Sequence, residues 1–138
     1  MANHEKTAWI MMVVLLIASG KLLQTIIQHS ETLGTLVPPN AGILIQYVIA
    51  LVVLSIIGHI ALAITSKQAL EKKDERERQF EVYGSHISGL VLGLGCVTAL
   101  GHYLVHFDGS LLFYSVFAAL IASQITEYLV VIWRHRRG

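Results

Sequence analysis

Residues 42–65 read GILIQYVIALVVLSIIGHIALAIT, and this run decides the fold. It holds no Asp, Glu, Lys or Arg. A helix that crosses the ~30 Å hydrocarbon layer of a bilayer needs about 20 mostly apolar residues, since each advances about 1.5 Å. A strand of a membrane barrel is shorter and alternates in polarity, which this run does not. Outward from it, three further stretches qualify, at about 7–28, 85–107 and 111–133. Backbone N–H and C=O groups in lipid must be satisfied within the chain, so all four are expected as helices. The expected architecture is all-α, a polytopic transmembrane bundle of four helices forming a single domain over residues 1–138.

Composition agrees. Of 138 residues, 54% are hydrophobic and 14% charged, with a mean hydropathy of +0.63. A soluble domain carries about 25% charged residues to cover its surface. The net charge of +1 supplies no basic field for nucleic acid. A single cysteine, Cys96, excludes an intrachain disulfide framework and a multi-cysteine zinc site. No Gly-rich phosphate loop, nucleophile elbow or paired catalytic carboxylates are visible, so no catalytic residue is assigned and the reading leans away from an enzyme.

The connections differ in charge. The first, 29–41, holds Pro38, Pro39 and Asn40 and no Lys or Arg. The second, 66–84, carries Lys67, Lys72, Lys73, Arg76 and Arg78. The third, Asp108-Gly109-Ser110, is a tight turn, and the tail after Trp133 reads Arg134-His135-Arg136-Arg137-Gly138. Basic segments stay on the cytoplasmic side of a membrane, which predicts both termini and the charged loop 66–84 inside, in the cell's inner (plasma) membrane. Trp9 and Trp133 then fall in the cytoplasmic aromatic belt. A signal peptide ending near Ala18-Ser19-Gly20 is the competing reading; Glu5 and the apolar run resuming at Leu22 favour a retained helix.

Loop 66–84 contains Asp74-Glu75-Arg76-Glu77-Arg78. Asp74 with Glu77 three residues on is a capping pattern, predicting a helix from about Glu75 that projects from the membrane into the third span. The same five residues are candidates for docking a cytoplasmic partner or anionic lipid. With Glu127 preceding the basic tail Arg134–Arg137, this run resembles a group of small uncharacterised prokaryotic four-helix membrane proteins marked by an Asp-Glu-Arg-Asp/Glu motif before the third helix. The resemblance covers about Asp74 to Gly138. It implies the fold and no activity.

The third span carries a GxxxG unit, Gly89 and Gly93, with Ser85 one turn before. Small residues four apart let helix backbones approach in lipid. The unit is expected to pack inside the bundle or to form the seam of a homo-oligomer.

Ionisable groups inside spans are costly and ordinarily face a protein interior or a wet cavity. Counting depth at about 1.5 Å per residue places His59 and Glu127 at a common level in the inner half. Ser55 lies one turn from His59 and Ser123 one turn from Glu127, so Glu127, His59, Ser55 and Ser123 form the candidate proton- or ion-binding set. Lys21 and Gln24 on the first span and His102 and His106 on the third form a candidate outer vestibule. His102 and His106 also have the spacing of a two-histidine metal face, with Asp108 or Glu31 as a further ligand; no cofactor is otherwise called for. The first functional expectation is a small, oligomeric transporter or channel-like protein for protons, cations or a small solute. The alternatives are a regulatory or accessory subunit docking through 66–84, and a metal- or haem-binding redox component.

Overall fold

The computed structural model describes residues 3–65 and 75–137. Four helices account for nearly all of them: α1 (Asn3–Leu33), α2 (Ala41–Thr65), α3 (Glu75–His106) and α4 (Gly109–Arg137). No strand occurs among the described residues. All four helices are long and apolar enough to cross a membrane, consistent with a multi-pass membrane protein. At 31 and 32 residues, α1 outruns its apolar stretch at both ends and α3 outruns its own at the start. At about 1.5 Å per residue each is more than 45 Å long, so it extends beyond a ~30 Å hydrocarbon layer.

Local chemistry sets the ends. α1 stops at Gly34, whose φ of 68° is the left-handed conformation that glycine adopts without strain, and Pro38 and Pro39 follow. Asn40 caps α2, its Oδ1 accepting the Gly42 N–H at 2.8 Å. Asp108 caps α4, its carboxylate accepting the N–H groups of Ser110 at 2.9 Å and Leu111 at 3.2 Å. The third connection is therefore Phe107-Asp108, with Phe107 at φ 53°, and Gly109 and Ser110 already belong to α4.

The helices do not close into a ring. α4 packs extensively on α3 and less so on α1, while α2 rests mainly on α1. α2 reaches α4 through Tyr47 against Phe117, edge to face at 5.1 Å, and Tyr47 shares a 3.2 Å hydrogen bond with Ser19 of α1. The α1 face that is buried repeats as Glu5, Ala8, Met12 and Leu15, the three-and-four spacing of one helix side. Ala8 and Met12 form a cluster with Val131 and Ile132, flanked by Trp9 and Tyr128. At the far end the first connection folds back on α4, where the Tyr114 hydroxyl donates to the Val37 carbonyl at 2.9 Å.

The α3–α4 seam uses small residues, though not the expected pair. Gly84, Ser88 and Ala99 are buried, and a Cβ on Gly95 would stand 2.5 Å from the Ala119 Cβ. Gly89 and Gly93 lie on the outward face, where an added Cβ meets nothing within 4 Å. The structure thus places the GxxxG unit outside the packing of the chain itself. The reason is angular: α3 turns Gly84, Ser88, Gly95 and Ala99 toward α4, at offsets of four, seven and four residues, and this turns Gly89 and Gly93 away.

Candidate functional site

Among the described residues, Glu127 is the one carboxylate far from either end of a candidate span. It lies 18 residues beyond Gly109, about 27 Å along α4. Its side chain is half-buried in the α3–α4 seam, where the absence of a side chain at Gly84 makes room: an added Cβ there would meet the Glu127 carbonyl at 3.2 Å and its Cγ at 3.7 Å. Ser88 is 6% exposed, and its hydroxyl donates to the Ser85 carbonyl at 3.0 Å and reaches Glu127 Oε2 at 3.5 Å. One hydroxyl proton serves both acceptors, and the shorter contact is the stronger. Ser123 is 3% exposed and donates to the Leu120 carbonyl at 2.8 Å, so it completes the small-residue seam but spends its proton on its own helix.

His59 is not part of this group. It lies exposed on α2, where its Nδ1 bonds the Ser55 carbonyl at 2.7 Å. Its neighbour Gly58 supplies the contact with α1, since a Cβ there would lie 2.6 Å from Ile10 Cγ2. The chain therefore brings Ser88 to Glu127, with Ser123 buried one turn away on α4, and leaves His59 and Ser55 apart on α2.

The outer set is likewise divided. Lys21 and Gln24 are exposed on α1, and His102 and His106 are exposed on α3. The two histidine rings stack on each other, centroids 4.2 Å apart and 12° from parallel, and His106 Nδ1 approaches the His102 carbonyl at 3.3 Å. His102 lines a groove of about 550 Å³ between α3 and α4, with Thr98, Ser115 and Ala119 among its walls. Asp108 is engaged in capping α4. Among the described residues, no group of three or more His, Cys, Asp or Glu is gathered to hold a metal ion.

Of the expected docking segment, Asp74 lies outside the described residues. Glu75, Arg76, Glu77 and Arg78 open α3, with Glu75 and Arg78 exposed. The described part of α3 begins at Glu75, and the capping pattern's Asp74 lies outside the described residues.

A second constellation was not anticipated. The start of α1, the start of α3 and the end of α4 meet at one end of the bundle. There Glu5, 6% exposed, faces Arg136 with 3.5 Å between Oε1 and Nε. The Arg134 guanidinium lies 3.9 Å over the Tyr83 ring, that of Arg136 5.6 Å over Trp9, and that of Arg137 4.6 Å over Trp133. His135 meets Phe80 edge to face at 5.1 Å and bonds the Val131 carbonyl through Nδ1 at 2.9 Å. The available signal was Glu5 itself, an acid placed on the apolar stripe of Ala8, Met12 and Leu15. Its partner lies at the opposite end of the sequence.

The chain matches no protein-family model, no curated protein and no solved structure.

Proposed function

We propose that the chain is a multi-pass membrane protein that works as a homo-oligomer and passes a proton, a cation or a small solute, with Glu127 as its protonatable group. The observation that carries this reading is the half-buried carboxylate of Glu127 in the α3–α4 seam, with the Ser88 hydroxyl as its hydrogen-bonding side chain. Structural hydrogen bonding alone gives little reason to hold an acid so deep, where it costs free energy and ordinarily marks an ion or proton path. The need for further copies follows from the open packing. Lys21, Gln24, His59, His102 and His106 are exposed on the single chain, although polar groups at such depths ordinarily face protein or water. A neighbouring copy supplies the missing wall. The basic ends give the orientation, with both termini on the cytoplasmic side of the inner membrane.

The test is flux through proteoliposomes of purified protein, alongside native mass spectrometry. Wild type is expected to be a homo-oligomer with proton or cation flux, and Glu127→Gln to keep the oligomer while losing the flux. Equal flux in the two proteins, or a monomer that conducts, overturns the reading.

A further inference from the structure

The end of the bundle where α1, α3 and α4 meet is rich in cations. Lys6, Arg78, Arg134, Arg136 and Arg137 gather there against Glu5, Glu75 and Glu81. Arg136 is engaged by Glu5. The other arginines of the tail stand on aromatic faces, a contact that orients a guanidinium without neutralising it. Among the described residues, Arg134 Nε and the Trp9 indole Nε1 are buried with no hydrogen-bond partner, as is His135 Nε2.

Beside them runs a groove of about 440 Å³ along the first turns of α3, lined by Glu75, Arg78, Gln79, Val82, Tyr83 and His86. Tyr83 is shared: it walls the groove and carries Arg134 on its ring. The groove changes character with depth. α3 starts ten residues, about 15 Å, before the apolar stretch that begins near Ser85, so its first turns lie outside a ~30 Å hydrocarbon layer. Arg78, about 4.5 Å along the helix from Glu75, lies among headgroups. Val82 and Tyr83, about 11 and 12 Å along, lie at the hydrocarbon boundary. With Arg134 on the Tyr83 ring beside it, the mouth sets two arginines against Glu75 above an apolar floor, which fits a molecule with an anionic head and an apolar body. Glu75, one turn from Arg78, is the one carboxylate in the lining among the described residues, and it disfavours a dianion more than a phosphodiester with a single charge.

We propose that this groove binds the headgroup of an acidic phospholipid, with Arg78 and Arg134 facing the phosphodiester and Val82 and Tyr83 facing the glycerol and upper acyl chain. Charge complementarity with an anionic leaflet selects the lipid, and the groove fixes where it sits. This does not depend on Glu127 conducting anything.

The chain carries its own reporters, since both of its tryptophans, Trp9 and Trp133, belong to this end. Full-length protein is reconstituted in phosphatidylcholine vesicles containing either brominated phosphatidylglycerol or brominated phosphatidylcholine, and tryptophan quenching gives the relative affinity. A basic group near the surface contributes about fivefold in affinity for anionic lipid. The expected result is a phosphatidylglycerol preference that falls about fivefold in Arg78→Gln and in Arg134→Gln and persists in Lys21→Gln at the other end. Arg78 is exposed, so its variant folds even where loss of the Arg134–Tyr83 stack disturbs packing. Equal quenching by the two lipids overturns the proposal, as does a preference that both variants retain. Loss of the preference in millimolar inorganic phosphate assigns the groove to a free phosphate instead. A protein that co-purifies through Arg78 and Arg134 without lipid preference assigns it to a partner. Either result overturns the lipid.

Discussion

Replacing Gly95 by alanine tests the central seam with one methyl group. That methyl would stand 2.5 Å from the Ala119 Cβ and 3.4 Å from its Cα. Methyl carbons in contact sit near 3.5–4.0 Å, so α3 and α4 must part by about 1 Å at this level. Ala119 has no rotamer to move, and the strain falls on both backbones. Overpacking of this kind costs about 1–3 kcal/mol, against which alanine recovers at most about 1 kcal/mol of helix propensity. The net expectation is a loss of about 1–2 kcal/mol. Gly93→Ala is the internal control, because its methyl meets nothing within 4 Å and only the propensity gain remains. Unfolding in mixed micelles, followed by circular dichroism against mole fraction of SDS, ranks the variants. Ala119→Gly in the Gly95→Ala background should restore most of the loss by removing the opposing methyl. Gly95→Ala as stable as Gly93→Ala, or no recovery in the double variant, refutes the α3–α4 packing.

Three further outcomes follow from the same contacts. Tyr114→Phe removes the hydroxyl that holds the Val37 carbonyl and should cost about 1 kcal/mol, with faster proteolysis in the first connection. Arg136→Gln leaves the buried Glu5 without its cation and should lower stability in the same denaturation assay, and Glu5→Gln in that background should restore part of the loss. In a Cys96→Ala background, cysteines at Gln79 and at Ser110 should label from opposite sides of intact vesicles with an impermeant maleimide, the Gln79 position from the cytoplasmic side. Labelling of both from one side refutes the antiparallel course of α3.

The four helices were legible because they depend on composition along the chain: apolar runs and two prolines. Azimuth was not. His59 and Glu127 were set at one level by counting residues, but a count does not say which way a side chain faces once the helices have chosen partners. α2 turns Gly58 toward α1 and so turns His59 outward, and α4 turns Glu127 toward α3. The glycines of α3 show the same limit. Gly89 and Gly93 match a spacing that permits close approach, whereas Gly84 and Gly95 are the ones that meet a partner. What distinguishes them is the facing surface of α4, where Ala119 meets Gly95, and Glu127 and Val131 fill the space at Gly84. That complementarity requires two helices to be considered together. The Glu5–Arg136 contact is harder still, since it joins the first turn of the chain to its last.

That contact has a consequence for how the protein is made. A ribosome adding about 5–20 residues per second needs on the order of ten seconds to travel from Glu5 to Arg136. Throughout that interval the first helix has neither the cation that faces its acid nor the Val131 and Ile132 surface that covers Ala8 and Met12. The second helix, resting mainly on the first, is held no better. The last two helices, joined by two residues, can associate as soon as they emerge. The nascent protein therefore passes through a stage of two hairpins, the earlier one incomplete and the later one self-sufficient, and the fold is locked only when the basic tail arrives. A chain truncated before Arg134 retains the apolar length of all four described helices and lacks the clasp between its ends.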